Sequence, residues 1–170
     1  QVEVAQQETS DAQLKQRLGK VLVGAERSAH LVHQLLTLAR SEAQVRLHRL
    51  DLAALARDVA REWTPRALAV GLDLGFEGEQ HLHIDGDELQ LREAMANLID
   101  NALRYAGKDR TLTIRVMQSG PAAHLVFEDN GPGLSADELT HVFQRFWRAS
   151  NEPGGCGLGL AIVREIAHRH

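Results

Sequence analysis

The sequence predicts an α+β protein: a mixed sheet with helices on one face, preceded by a long helix that belongs to a dimeric bundle. Three observations lead there. Residues Asp11–Glu42 contain no proline and carry a sustained heptad seam. From Val45 onward, short alternating runs interleave with helical stretches. Of the 170 residues 44% are apolar, enough to fill one ordinary core beside an extra element.

The long helix comes first. Leu14, Leu18, Val21, Ala25, Ser28, Val32, Leu35 and Ala39 alternate spacings of four and three. Leu22, Ala29 and Leu36 widen the apolar face beyond a two-stranded seam, which suits a helix bundle. One such helix cannot bury itself; it needs partners from sequence outside this stretch or from a second chain, with a dimeric bundle favoured over packing on its own domain. Next, Leu47–Leu52 reads as a short strand and Asp51 opens a helix to about Trp63, where Pro65 is expected to stop or kink it. Leu72–Phe76 alternates like a half-buried strand, and His81–Asp85 is another short one. Asp87 with Gln90 resembles a capping box for a helix from Glu88 to about Tyr105. Thr111–Met117 and Ala123–Glu128 form a hairpin around Ser119, Gly120 and Pro121. Leu134–Arg148 reads as mostly helical, Ala149–Gly155 as a flexible loop, and Leu158–His168 as the last helix.

Composition narrows the function. A formal charge of −4 and no long basic stripe argue against a nucleic-acid binder. A single cysteine, Cys156, leaves no internal disulfide. No apolar run approaches the roughly 18 residues of a membrane span.

Three constellations carry chemistry. Glu93, Asn97 and Asn101 recur every four residues and share one helix face. Asparagine is a mediocre helix former, so two on one interior ridge need a reason. A neutral amide oxygen can ligate Mg²⁺ without adding charge beside phosphates. Taken alone, the ridge reads better as a solvated polar stripe. Asp129-Asn130-Gly131-Pro132-Gly133 follows a strand directly. A buried carboxylate there could accept a hydrogen bond from an exocyclic amine such as that of adenine, although Asn-Gly and Pro-Gly are also ordinary turn pairs. The third is Gly154-Gly155-Cys156-Gly157-Leu158-Gly159-Leu160, four glycines within six positions ahead of a helix. It lacks the Lys-Ser or Lys-Thr of a P-loop and does not follow a strand as a dinucleotide-binding turn would. What remains is backbone amides at a helix start, with Arg104, Lys108, Arg145 and Arg148 as further donors for a polyphosphate.

Together these stretches resemble the catalytic core of a bacterial sensor histidine kinase, with the GHKL (Bergerat) ATP-binding fold. Asn97-Leu98-Ile99-Asp100-Asn101-Ala102-Leu103-Arg104-Tyr105 resembles the N box. Asp129–Gly133 resembles the G1 box, Val142-Phe143-Gln144-Arg145-Phe146-Trp147-Arg148 the F box, and Gly155–Leu160 the G2 box. All four occur in the family's order between Leu47 and His170. The leading helix, with its Val32–Arg40 ending, resembles the second helix of the family's dimerisation and phosphotransfer domain.

The resemblance implies a two-layer α/β sandwich over residues 46–170, preceded over residues 1–45 by one helix of a dimeric four-helix bundle. It implies ATP and Mg²⁺ as cofactors. Asn101 would ligate the ion and Asn97 would contact the ion or the phosphates. Asp129 would read the adenine amino group and Tyr105 would pack against the base. Arg104 and Lys108 would lie near the phosphates, with Arg145 and Arg148 as further candidates. Gly131, Gly133, Gly155, Gly157 and Gly159, with Leu158 and Leu160, would shape loops that close on the nucleotide. Leu134–Gly155 would be a mobile lid, anchored to the core by Phe143 and Phe146.

In hydrolysing relatives a glutamate stands at the position of Asn97 and activates water; an amide cannot act as that base. Glu93 lies a further turn back, about 6 Å along the axis, and is expected to be out of reach. The site therefore reads as one that holds ATP for a histidine nucleophile and, in the intact protein, passes phosphate to an aspartate of a response regulator. A noncatalytic ATP-binding regulatory module and a GHKL-type ATPase are the alternatives. None of the nine histidines is followed directly by Asp or Glu, as the family's acceptor is, so the phosphoacceptor is expected upstream of Gln1. The family's closing strands are expected beyond His170, and membrane attachment only through segments outside this sequence. That pattern implies the cytoplasmic portion of an inner-membrane protein. Cys156 departs from the small serine or alanine usual in the G2 loop.

Overall fold

Strand β1 (His48–Asp51) leads straight into helix α1 (Leu52–Val70) because Asp51 serves both. Its Oδ1 accepts from the backbone N–H groups of Ala53 (3.0 Å) and Ala54 (3.1 Å), capping the helix. The same oxygen accepts from Leu82 N–H at 3.1 Å, and Oδ2 meets His81 Nδ1 at 2.7 Å. The His81 contact, with the N–H donors of Leu82 and Ala54, holds this carboxyl well below the usual carboxylate range against the opposing effect of burial.

This computed structural model describes residues 47–149 and 156–170, all within the unit Arg40–His170. The heptad helix Asp11–Glu42 and the expected domain over residues 1–45 lie outside the described residues, as do residues 150–155 with Gly155.

Beyond α1 come β2 (Leu72–Gly78), β3 (His83–Gly86), α2 (Glu88–Tyr105), β4 (Arg110–Ser119), β5 (Ala122–Asp129), α3 (Ala136–His141) and α4 (Gly159–Arg169). Strands β2, β4 and β5 form one mixed sheet with β4 in the middle. β2 runs parallel to β4, with Leu72 opposite Arg110 and Gly78 opposite Val116. β5 returns antiparallel, with Ser119 opposite Ala122 and Leu112 opposite Asp129. β1 and β3 pair separately as an antiparallel ribbon.

The alternation along β4 decides which face is covered. Leu112, Ile114 and Val116 are buried. They join Ala53, Ala56 and Val59 of α1 and Leu91, Met95, Ile99 and Ala102 of α2 in one core. On β4's intervening positions Arg115 pairs with Glu77 of β2 at 2.7 Å and also with Glu128 of β5. The expected α+β class, a mixed sheet with helices on one face, is therefore the observed one. α4 lies along α2 and buries Ala161, Ile162 and Ile166, with Leu158 buried just ahead of it. At its far end the ring of His170 accepts from Asp87 N–H at Nε2 (2.9 Å) and lies 2.9 Å from Ile166 O at Nδ1. That bonding requires the tautomer with its proton on Nδ1.

Three local expectations need correction. Helix α1 does not stop near Trp63 but passes through Pro65 to Val70. Ala67 in the extra turns is fully buried, and Gly71, at φ 75°, closes the helix by donating to Ala67 O and Leu68 O. Strand β3 begins at His83 rather than His81, because His81 is drawn aside to Asp51. The stretch 134–148 is helical only over Ala136–His141. Ser135 and Glu138 start that helix with a reciprocal capping box, and the donors of Ser135 hold the Glu138 carboxyl below its ordinary value. The helix buries no residue, so nothing in its packing extends it.

Candidate functional site

Helix α2 positions the ridge. Its Asp87 cap accepts from Gln90 N–H at 3.2 Å, and burial of Leu91, Met95 and Ile99 fixes the rotation of the helix. That rotation makes Asn97 the single buried polar residue among the described residues, 8% exposed. Its Nδ2 donates to Glu93 O at 2.9 Å and to Glu93 Oε1 at 3.2 Å. Its Oδ1 turns toward the start of α4: a Cβ built on Gly159 would lie 3.0 Å from that oxygen. Asn101 is half-buried one turn further on. Glu93, expected on the same face, is therefore in direct contact with the Asn97 amide.

The turn after β5 meets the other end of α2. Asp129 Oδ1 accepts from Gly131 N–H at 2.8 Å. A Cβ on Gly131 would lie 2.9 Å from Ala106 Cα, so only glycine lets the turn rest on the end of the helix. Asn130 pins the turn to β4: its Oδ1 accepts from Thr111 N–H at 2.8 Å and its carbonyl from Arg110 Nη1 at 3.0 Å. Asp129 is exposed rather than buried, because among the described residues β5 is an edge strand. Tyr105, beside Ala106, is 40% exposed. Gly133 follows at φ 71° with open space around it.

The glycine turn joins both regions. Gly157 adopts φ 71°, and a Cβ there would lie 2.6 Å from both Phe146 C and Trp147 O. Its carbonyl accepts from Phe146 N–H at 2.8 Å. Leu158 is fully buried and Leu160 half-buried. One turn therefore touches the F-box stretch through Gly157 and the Asn97 ridge through Gly159.

The remaining expected residues have the following surroundings. Arg104 Nε bonds Asp100 Oδ2 at 2.6 Å, and Asp100 also takes Arg66 of α1 at 3.3 Å. The stem of Lys108 lies against Gly71, where a Cβ would meet its Cγ at 3.2 Å. Arg104 thus pairs along its own helix, and the stem of Lys108 lies beside the end of α1. Phe143 and Phe146 are 42% and 65% exposed and do not anchor the stretch in the core. Phe146 sits at φ 66°, unusual for a bulky side chain. Its N–H is committed to Gly157 while its ring faces solvent. Arg145 is exposed and Arg148 half-buried. The hold of Glu93 on Asn97 was not anticipated, although their spacing of four signals it; nothing in the sequence signals the conformation of Phe146.

The described residues contain no group of three or more His, Cys, Asp or Glu side chains able to cage a metal. A cation on the Asn97–Asn101 ridge would take most of its oxygens from a bound phosphate chain and water. That arrangement suits Mg²⁺, which keeps waters and uses few protein ligands. The donor set fits such an ion.

Residues 86–170, half of the chain, match the histidine kinase-, DNA gyrase B- and HSP90-like ATPases. The chain belongs to that family. It is 37% identical to the sensor protein kinase PmrB of Pseudomonas aeruginosa, over 85% of this chain and 31% of that protein. It is 29% identical to the swarming motility regulation sensor protein RssA of Serratia marcescens, over 99% of this chain and 37% of that one. Among solved structures, full-length ShkA in complex with AMPPNP superposes with a TM-score of 0.72 at 28% identity, over 82% of this chain and 30% of that one. The chain spans about a third of the length of these relatives. No helix among the described residues is long and apolar enough to cross a membrane.

Proposed function

We propose that this chain is the ATP-binding catalytic portion of a sensor histidine kinase. In the intact protein it delivers the γ-phosphate of Mg·ATP to a histidine, from which an aspartate of a response regulator receives it. The observation that carries the reading is the buried amide of Asn97, with its oxygen turned to the glycine turn at Gly159. Asn101 and Asn97 would hold Mg²⁺, Asp129 would accept from the adenine amino group, and Tyr105 would flank the base. Gly131, Gly133, Gly157 and Gly159 would let backbone approach the nucleotide. Arg104, Lys108, Arg145 and Arg148 would be the cationic donors to the phosphates.

An amide at position 97 cannot take a proton from water, so the site protects ATP until a better nucleophile is presented. Phosphoryl transfer is mostly positioning and charge stabilisation, which is what this ridge and turn can supply. Homodimerisation through a helical bundle, a response-regulator partner and a cytoplasmic site beside the bacterial inner membrane belong to the same proposal. The naming of RssA and PmrB as sensor proteins supports the signalling role.

Calorimetric titration with ATP, with and without Mg²⁺, tests the reading. Binding is expected, tighter with Mg²⁺, and Asp129→Ala is expected to weaken it by about 10-fold or more. No heat from any adenine nucleotide on folded protein would overturn the proposal. Steady phosphate release that Asn97→Ala abolishes would move the assignment to an ATPase.

A further inference from the structure

Asn97 presents its oxygen to the glycine turn only while its amide faces one way, and a flipped amide would present a donor instead. Its nitrogen meets the carbonyl of Glu93 at 2.9 Å and the Glu93 carboxylate at 3.2 Å. Both are acceptors only, so the NH₂ must point at them and Oδ1 must point away. That oxygen lies against Gly159 at the start of α4. The amide itself is almost fully buried, where a wrongly turned polar atom is costly.

We propose that Glu93 is a positioning residue that fixes the Asn97 amide, so that its oxygen, not its nitrogen, faces the cation and phosphates. This rests on the reading of the site as a Mg·ATP site. Glu93 donates nothing to the ligand; it acts through Asn97. The backbone carbonyl engages one N–H and the carboxylate engages the other, so losing the side chain loosens the orientation without removing every restraint.

The test combines a nucleotide-free measurement with a binding measurement. In the ¹⁵N spectrum of the free protein both side-chain N–H protons of Asn97 are expected to exchange slowly. Glu93→Leu should release one of them, and Glu93→Gln should retain both, since a Gln oxygen can accept the same bond. In titrations with ADP and a nonhydrolysable ATP analogue, the quantity read is the ratio of Kd without Mg²⁺ to Kd with Mg²⁺. Glu93→Leu should cut that ratio roughly 3- to 10-fold while Kd without Mg²⁺ changes less than about 2-fold. Glu93→Gln should restore it.

A second pair of variants covers a Glu93→Leu protein that fails to fold. Asn97→Asp sets acceptors against acceptors and should lower Tm; adding Glu93→Gln supplies a donor and should recover part of the loss. Unchanged amide exchange together with an unchanged Mg²⁺ ratio in Glu93→Leu would overturn the inference. So would additive Tm losses when Asn97→Asp and Glu93→Gln are combined. If the unsubstituted protein binds no nucleotide, the Mg·ATP reading fails instead. The amide exchange then still reports whether Glu93 holds Asn97.

Discussion

Helix α2 and the stretch that follows β5 both belong to the proposed nucleotide site, yet they are held in place by different means. α2 buries Leu91, Ala94, Met95, Asn97, Ile99 and Ala102, and rests on α1, the sheet and α4. Helix α3 buries no side chain at all. Over residues 134–149, which would cover the nucleotide, the bonds include a local one, the Ser135–Glu138 capping box, and a backbone one from Phe146 N–H to Gly157 O. Burial of apolar surface fixes the ridge that would hold the ion. A few solvent-exposed hydrogen bonds fix the part that would close over the phosphates. Segments with few buried contacts open locally at low cost, as a closing element must.

The largest expected effect lies on the buried side. Ile99 is fully buried in the core, between Asn97 and Asn101 on the helix. Ile99→Ala is expected to cost about 2–5 kcal/mol in chemical denaturation and to broaden the resonances of the whole ridge. Truncating Phe143 on the cover, 42% exposed, should fall within about 0.5 kcal/mol. Similar losses at both positions would erase the contrast and show that the cover is packed as firmly as the floor.

The intermediate effect comes from Asp51, which ties the opening ribbon to α1. Its carboxylate accepts from Ala53, Ala54 and Leu82 and pairs with His81. Asp51→Ala is expected to cost about 1–2 kcal/mol near neutral pH, the scale of a lost helix cap. The folded-state pKa is depressed, so the unfolded chain takes up the proton first as pH falls. The stabilisation is therefore complete above the ordinary aspartate value of about 4 and drains away below it, toward the lowered folded value. Denaturation midpoints of the two proteins should converge as pH falls from about 5 toward 2. A difference that stays constant over that range would mean the carboxylate's charge is not what stabilises the cap.

The same division explains what could be read in advance. α2 and β4 were legible because their buried positions follow a clean period: about 3.6 along Leu91–Ala102 and about 2 along Leu112–Val116. The glycines of both turns were legible as places of close approach, and Gly131, Gly157 and Gly159 each lie where a Cβ would crowd a neighbour. The course of α1 beyond Pro65 was not, since burial of Ala67 and closure at Gly71 outweigh the proline and depend on tertiary contacts. Nor were the partners of Arg104 and Lys108, because a long cation near a site carries no mark of which neighbour it will choose. The cover was least legible, since aromatic residues such as Phe143 and Phe146 read as core whether or not anything lies beneath them.

The smallest effect is also the one whose sign separates the two regions best. Phe146 adopts φ 66°, which costs a side-chain-bearing residue roughly 1–2 kcal/mol, and its ring is 65% exposed. Glycine removes that strain but adds about 0.5–1 kcal/mol of unfolded-state entropy. Phe146→Gly should therefore stabilise slightly, by about 0.5 kcal/mol, whereas Phe146→Ala keeps the strain and should be neutral or slightly destabilising. Chemical denaturation of both variants decides it. If Phe146→Gly destabilises by more than Phe146→Ala, the ring is contributing packing energy, and the cover is held by its side chains after all rather than by the backbone link to Gly157.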